Sequence, residues 1–200
     1  MNESRSVPKP TGWQKVLTLV REETSGIHPQ LIALQLALGF LPKHQAQSAR
    51  AQLFSLAGFR IGAGTRIAST PKLNGGRELF SNLVVGSNCV IEADCVFDLE
   101  ERITIGDRVA LGPGVMILTS THELDIREHR AGPVVRAPVT IGDGAWLGPR
   151  CLILSGVKVG AGAIVDPGAV VNKDVAPQTR VGGIPAAPVG QPRPSELPTN

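Results

Sequence analysis

Tyrosine is absent from the 200 residues, and all aromatics together make up 4%. No run of basic residues exceeds two, and the formal net charge is only +3, so the electrostatic and stacking footprint of a nucleic-acid binder is missing. Cysteine is scarce as well. Cys89, Cys95 and Cys151 are odd in number and form no CxxC pair, which argues against a disulfide framework and against a thiol metal or redox motif. The opening MNESRSVPKP lacks the basic-then-apolar layout of a signal peptide, and the longest apolar stretch, Leu31 to Leu41, is too short to span a bilayer. A cytoplasmic protein with reduced thiols is expected. That apolar stretch is expected to pack on the core as a helix, which disfavours, without excluding, a role at a membrane surface.

Glycine (23) and proline (16) are in excess, yet 42% of the chain is apolar, enough for one domain with a substantial core. Frequent, regularly placed turns account for both facts. From Ile141 onward an aliphatic residue recurs at every sixth position: Ile141, Leu147, Ile153, Val159, Val165 and Val171. Two places before most of these anchors sits a small residue, as at Ala145, Cys151, Val157, Ala163 and Ala169. Side chains alternate along a strand, so anchor and small partner face inward together while the residue between them faces out. Gly142, Gly148, Gly160 and Asp166 directly follow anchors, where the chain must turn.

Six residues thus encode one short strand and one tight turn. A helix would need a period near 3.6, and its glycines would each cost about 1 kcal/mol. The same frame is visible earlier at Ile61, Ile67, Val85, Ile91, Phe97, Ile105, Leu111 and Ile117, with a two-residue shift between Phe97 and Ile105. One repeat cannot bury its anchor, but stacked coils form a continuous aliphatic column, the physics of a β-solenoid. The three cysteines fall on inward positions and are expected to be structural.

The segments ITIGDRVALGPGV, APVTIGDGAWLGPRCLILSGVKVG and AGAIVDPGAVVNKDVAP resemble the hexapeptide-repeat acyltransferases, in particular the sugar O-acetyltransferases of the galactoside, maltose, nodulation-factor and colanic-acid type. The resemblance covers roughly residues 60 to 190. It implies an all-β left-handed parallel β-helix of three strands per coil, acetyl-coenzyme A as co-substrate, no metal, and a homotrimer with its sites in the grooves between subunits.

Residues 1–58 lack the six-residue frame. Leu31 to Leu38, ahead of Pro42, and Ser48 to Leu56 predict two short helices, a cap over the first coil's exposed edge. The β-helix is expected over 59–176, with an inserted loop at 118–138, and residues 177–200 as a C-terminal strap and tail. The insertion holds the polar segment THELDIREHR. Such a long loop inside a compact domain is usually functional, and a projection over a groove is expected.

Moving an acetyl group from a thioester to a hydroxyl needs a base, a donor for the oxyanion and a groove for both substrates. His122, in LTSTHELD, matches the family's catalytic histidine and is the expected general base. Asp98 falls where the family carries an acidic or amide residue in the acceptor pocket; it could hold a substrate hydroxyl, orient His122 or simply cap a corner turn. Asp125 is a further candidate for acceptor binding. Trp146 faces outward between inward Ala145 and Leu147, suited either to the pantetheine arm or to a trimer contact. Asn172 and Lys173 match a pair that lies along the cofactor, although an exposed lysine there would need no such role. His28, His44 and His129 are expected to be structural or exposed, and zinc is not expected.

Some residues depart from the family pattern. Pro149 and Pro167 stand where backbone amides often meet coenzyme A, and proline has no N–H to give. Gly148 is the substitute donor that the sequence offers. Ala187 replaces a terminal basic residue near the nucleotide phosphates, leaving Arg180 to compensate. The leading function is an acetyl-CoA-dependent sugar or glycan O-acetyltransferase. An amino-sugar N-acyltransferase and a non-catalytic β-helix scaffold are the alternatives.

Overall fold

A computed structural model of the chain describes residues 29–39, 41–42, 45–76, 78–124 and 130–190. Two helices come first, α1 (Pro29–Gly39) and α2 (Gln47–Leu56). Short strands then wind in successive coils: β1 (Arg60–Ile61), β2 (Arg66–Ile67) and β3 (Lys72–Asn74); β4 (Leu83–Val85), β5 (Val90–Ile91) and β6 (Val96–Asp98); β7 (Ile103–Ile105), β8 (Ala110–Leu111) and β9 (Met116–Ile117). After a hairpin of β10 (Ser120–Leu124) and β11 (Ala131–Arg136), the winding resumes with β12 (Val139–Ile141), β13 (Trp146–Leu147) and β14 (Leu152–Ile153), then β15 (Lys158–Val159), β16 (Ile164–Val165) and β17 (Val170–Val171). The last strands are β18 (Arg180–Gly182) and β19 (Ala187–Gly190).

Stacking these coils makes a parallel β-solenoid of about six turns with three long faces. The first sheet is β1-β4-β7-β12-β15, the second β2-β5-β8-β13-β16-β18 with β19 added antiparallel, and the third β3-β6-β9-β14-β17. The anchors pair in strict register, as in Ile91 with Leu111, Leu111 with Leu147, and Leu147 with Val165. Each therefore sits above its equivalent, and the column from Ile67 through Ile91, Leu111, Leu147 and Val165 is buried. The small inward residues Cys89, Cys95, Ala145, Cys151, Ala163 and Ala169 are buried beside it.

Corners obey the same economy of polar groups. Past the first sheet, the outward amide of Ser87 donates to Asp107 Oδ1 at 2.7 Å, and that of Asp107 donates to Asp143 Oδ1 at 3.0 Å. Past the second sheet, the equivalent places hold Pro113, Pro149 and Pro167, which have no amide to satisfy. The corner between the third and first sheets admits larger inward residues, Leu83, Ile103, Val139 and Val157. It absorbs the two-residue shift after Phe97, and the hairpin leaves the solenoid here.

Two features lay outside the six-residue arithmetic. From Leu73 to Val85 the spacing doubles, and residues 75–82 cross the gap, tied by Asn82 Nδ2 to the Leu99 carbonyl at 2.9 Å. At the far end β18 stacks in parallel on β16, so the winding carries past residue 176; ten residues separate Val171 from Val181, which hides the continuation from a strict period.

The cap is held by an arginine. Arg50, 2% exposed, donates from Nη1 to the carbonyls of Ile67 and Ala68, both at 2.9 Å, and from Nη2 to Pro42 at 3.1 Å. Helix α2 is thereby bolted to the first coil. Phe54, Phe59 and Phe80 stack over the open end of the core, with successive ring centroids 5.3 and 4.8 Å apart. Among the described residues no helix is long and apolar enough to cross a membrane.

Candidate functional site

The insertion expected as a loop is a two-stranded antiparallel hairpin in which Ser120 faces Arg136, Thr121 faces Val135 and His122 faces Val134. Its flanks are STHEL and AGPVVR, in which the β-branched Thr121, Val134 and Val135 favour extended backbone. The register shifts between His122 and Leu124, so Gly132 approaches the bulge closely. A Cβ on Gly132 would lie 2.9 Å from the Glu123 carbonyl oxygen, which is why glycine stands there.

That approach places the Gly132 carbonyl 2.7 Å from His122 Nδ1. A carbonyl oxygen only accepts, so Nδ1 carries a proton, and in the neutral tautomer Nε2 holds the lone pair. The ring is exposed at the side of the hairpin. The contact orients the ring with Nε2 directed away from the Gly132 carbonyl.

Asp98 ends β6 at the root of the hairpin and is 7% exposed. Its Oδ2 accepts from Ser120 Oγ at 2.6 Å, Ser120 N at 2.9 Å and Thr119 N at 3.2 Å, while Oδ1 takes a longer contact from Glu100 N at 3.4 Å. Thr119 Oγ1 donates to the Asp98 carbonyl at 2.7 Å and accepts from Glu101 N at 3.0 Å. On the returning strand, Arg136 pairs with Glu100 at 3.0 Å. Sequence reasoning picked out Asp98 and His122 but missed Ser120, Thr119 and Gly132, whose roles depend on a strand pairing that six-residue counting does not reach.

The remaining candidates lie elsewhere on the solenoid. Trp146 is half-buried on the outer face of the second sheet, in register between Ala110 and Ile164. Asn172 and Lys173 are exposed just beyond β17. The hairpin springs from a different corner, so one chain does not by itself bring His122 and Trp146 into a single pocket. Asp125, with His28, His44 and His129, lies outside the described residues.

Two expected contributions meet competing partners. The Gly148 amide already donates to the Val165 carbonyl at 2.7 Å, because it is part of the ladder between coils, and so is not a spare donor for a ligand. What glycine supplies at 148 is space, since a Cβ would lie 2.6 Å from Pro167 N. Arg180 Nε pairs with Asp166 Oδ1 at 2.8 Å, and this carboxylate competes with any phosphate for the guanidinium. Ala187 is exposed on β19.

The cysteines are buried and free. Burial pushes the thiols of Cys95 and Cys151 up to about 12 and raises that of Cys89, leaving all three protonated and unreactive near neutrality. Among the described residues no three His, Cys, Asp or Glu side chains gather into a metal-holding group.

The pattern of the bacterial transferase hexapeptide family (six repeats) matches residues 138–173. A maltose O-acetyltransferase of Clostridium difficile superposes with a TM-score of 0.71 at 26% identity, over 88% of this chain and 89% of that one. A hexapeptide-repeat-containing acetyltransferase of Vibrio cholerae, solved with acetyl-coenzyme A, gives 0.68 at 28% identity over 82% and 86%. The repeat and the fold are those of the hexapeptide-repeat acetyltransferases. Among curated relatives, a Schizosaccharomyces pombe protein named provisionally as an acetyltransferase is 39% identical over 77 residues, 38% of this chain. The match spans 37% of that relative's length.

The chain combines regular coils with a second corner lined by Pro113, Pro149 and Pro167. Its prolines and ladder-engaged Gly148 leave fewer amides facing out, while Val90, Ala110, Trp146 and Ile164 give the second sheet an apolar outer face.

Proposed function

We propose that this chain transfers an acetyl group from acetyl-coenzyme A to a hydroxyl of a sugar or glycan, with His122 as general base. The observation that carries the reading is the 2.7 Å contact between His122 Nδ1 and the Gly132 carbonyl, which fixes the tautomer and leaves Nε2 to take a proton. In the reaction, Nε2 removes the acceptor's hydroxyl proton as its oxygen attacks the thioester carbonyl. Collapse of the tetrahedral intermediate expels the coenzyme A thiolate, which recovers that proton from Nε2. The products are an O-acetyl ester and free thiol, with no covalent enzyme intermediate.

Acetyl-coenzyme A is assigned to the outer face around Trp146, where apolar neighbours suit a pantetheine arm, with Gly148 at the adjoining corner and Asn172 and Lys173 along its path. Arg180 would reach a phosphate only in competition with Asp166. Asp125 is assigned to the acceptor side. The homotrimer reading is supported by surface character: the outer positions of the third sheet are Val96, Met116, Leu152 and Val170 after Lys72, those of the second are apolar between Arg66 and Arg180, and the first presents Arg60, Thr104, Thr140 and Lys158 beside Val84. Packing two of three faces against copies would bury the apolar ones and set one chain's hairpin over its neighbour's face. A cytoplasmic location completes the reading.

Incubation with acetyl-coenzyme A and a panel of sugars and amino sugars tests it, with thiol release and product mass as readouts. A base-labile ester supports the proposal, and a base-stable amide would move the function to amino-sugar N-acylation. The prolines and the paired Arg180 favour a non-catalytic scaffold instead, and calorimetry showing no acetyl-coenzyme A binding would establish that alternative.

A further inference from the structure

Among the described residues the Asp98 carboxylate is the most heavily engaged acidic group at the site, yet it faces the chain's own backbone. One oxygen gathers three donors, from Ser120 Oγ at 2.6 Å, Ser120 N at 2.9 Å and Thr119 N at 3.2 Å. The peptide beyond is held as firmly, since the Thr119 carbonyl accepts Ser155 Oγ at 2.8 Å and Ala137 N at 2.9 Å. Ser120 and His122 are two residues apart on β10, so strand alternation puts their side chains on one face. Fixing Ser120 at the root therefore fixes the face on which the imidazole emerges, and Gly132 fixes the ring from across the hairpin.

We infer that Asp98 is a positioning residue, acting through Ser120 and the β10 backbone to aim His122, rather than a ligand of the acceptor. The inference rests on the general-base reading of His122. With Oδ2 saturated by three donors, Oδ1 turned toward Glu100 N at 3.4 Å and the residue 7% exposed, the carboxylate is directed at its own chain more than at a substrate hydroxyl. It is well placed to keep the hairpin from swinging, and a base displaced by about 1 Å can lose on the order of 100-fold in rate. Ionisation matters here, because an amide at 98 would present an N–H₂ group or a weaker acceptor to the same three donors.

The test compares Asp98→Asn and Ser120→Ala with the wild type, and adds the double variant Asp98→Asn/His122→Ala. Expected is a fall in kcat of about 10- to 100-fold for Asp98→Asn and a smaller fall for Ser120→Ala, with acceptor KM unchanged within about twofold. The double variant should be no slower than His122→Ala, because a residue that acts through the base has nothing left to aim. A rise in acceptor KM at constant kcat, or a further loss in the double variant, overturns the inference. Imidazole nitrogen NMR gives a readout independent of turnover. The wild type should show a single Nδ1–H tautomer and Asp98→Asn a mixture; an unchanged spectrum in both Asp98→Asn and Ser120→Ala overturns the inference even if no acetyl transfer is found. Should Asp98→Asn fail to fold, Ser120→Ala carries both readouts alone.

Discussion

His122 owes its tautomer to a glycine ten residues away. The Gly132 carbonyl is in reach only because no side chain separates the two strands at the bulge. In Gly132→Ala the new Cβ would meet the Glu123 oxygen at 2.9 Å, and the strands must separate by a few tenths of an ångström. Steady-state kinetics should then show kcat reduced about 10-fold with the fold intact, since orientation of the base is lost before stability is. The buried thiols make a second prediction at this scale. Their folded values lie above the ordinary 9.0, reaching about 12 for Cys95 and Cys151, so the folded state holds these protons more tightly than the unfolded chain. Their contribution to stability is complete below about pH 9 and is lost as pH rises toward about 12. The urea midpoint should fall over that range, while a thiol reagent at pH 7 should label all three only after denaturation.

Elements differ in how they are specified. The solenoid strands are dictated by six-residue spacing, and the anchors from Ile141 to Val171 fall on the strands the sequence predicts. The hairpin was legible only as an interruption: its polarity excluded a core role, but strand pairing across it depends on Gly132 and on Asp98, far away in sequence. Arg50 was invisible to sequence reasoning, because an arginine in a short polar helix ordinarily faces water. Its four contacts to carbonyls of Pro42, Gln45, Ile67 and Ala68 show otherwise. Within the described residues its Nε is buried with no partner, which suits a guanidinium chosen for reach rather than for pairing. Truncation in Arg50→Ala should cost about 2–4 kcal/mol, because several buried carbonyls lose their donor, and chemical denaturation will measure it as a lower midpoint. Acetyl-coenzyme A turnover by the folded fraction should be unaffected, as the cap is remote from the hairpin.

At the scale of the whole molecule, a solenoid buries one face of every strand and leaves the other to the surroundings. The outer positions of the second and third sheets carry most of the outward apolar residues, and that asymmetry cannot be read from anchors alone, because it lies in the residues between them. Leu152→Glu, on the third sheet's outer face, should turn an assembled species into monomers in analytical ultracentrifugation with little change in circular dichroism. If copies supply the hairpin and the Trp146 face to one another, such monomers should also lose most acetyl transfer. Departures at Pro149, Pro167 and Ala187 were visible in the sequence, whereas the occupation of the Gly148 amide and of Arg180 was not, since both depend on which coil lies above.

The most direct test is thiol release from acetyl-coenzyme A by His122→Ala, measured on protein shown by calorimetry to bind the co-substrate as the wild type does. With the base removed and binding retained, kcat is expected to fall by about 100- to 10,000-fold. Wild-type turnover in that variant would contradict the assignment of His122 as general base.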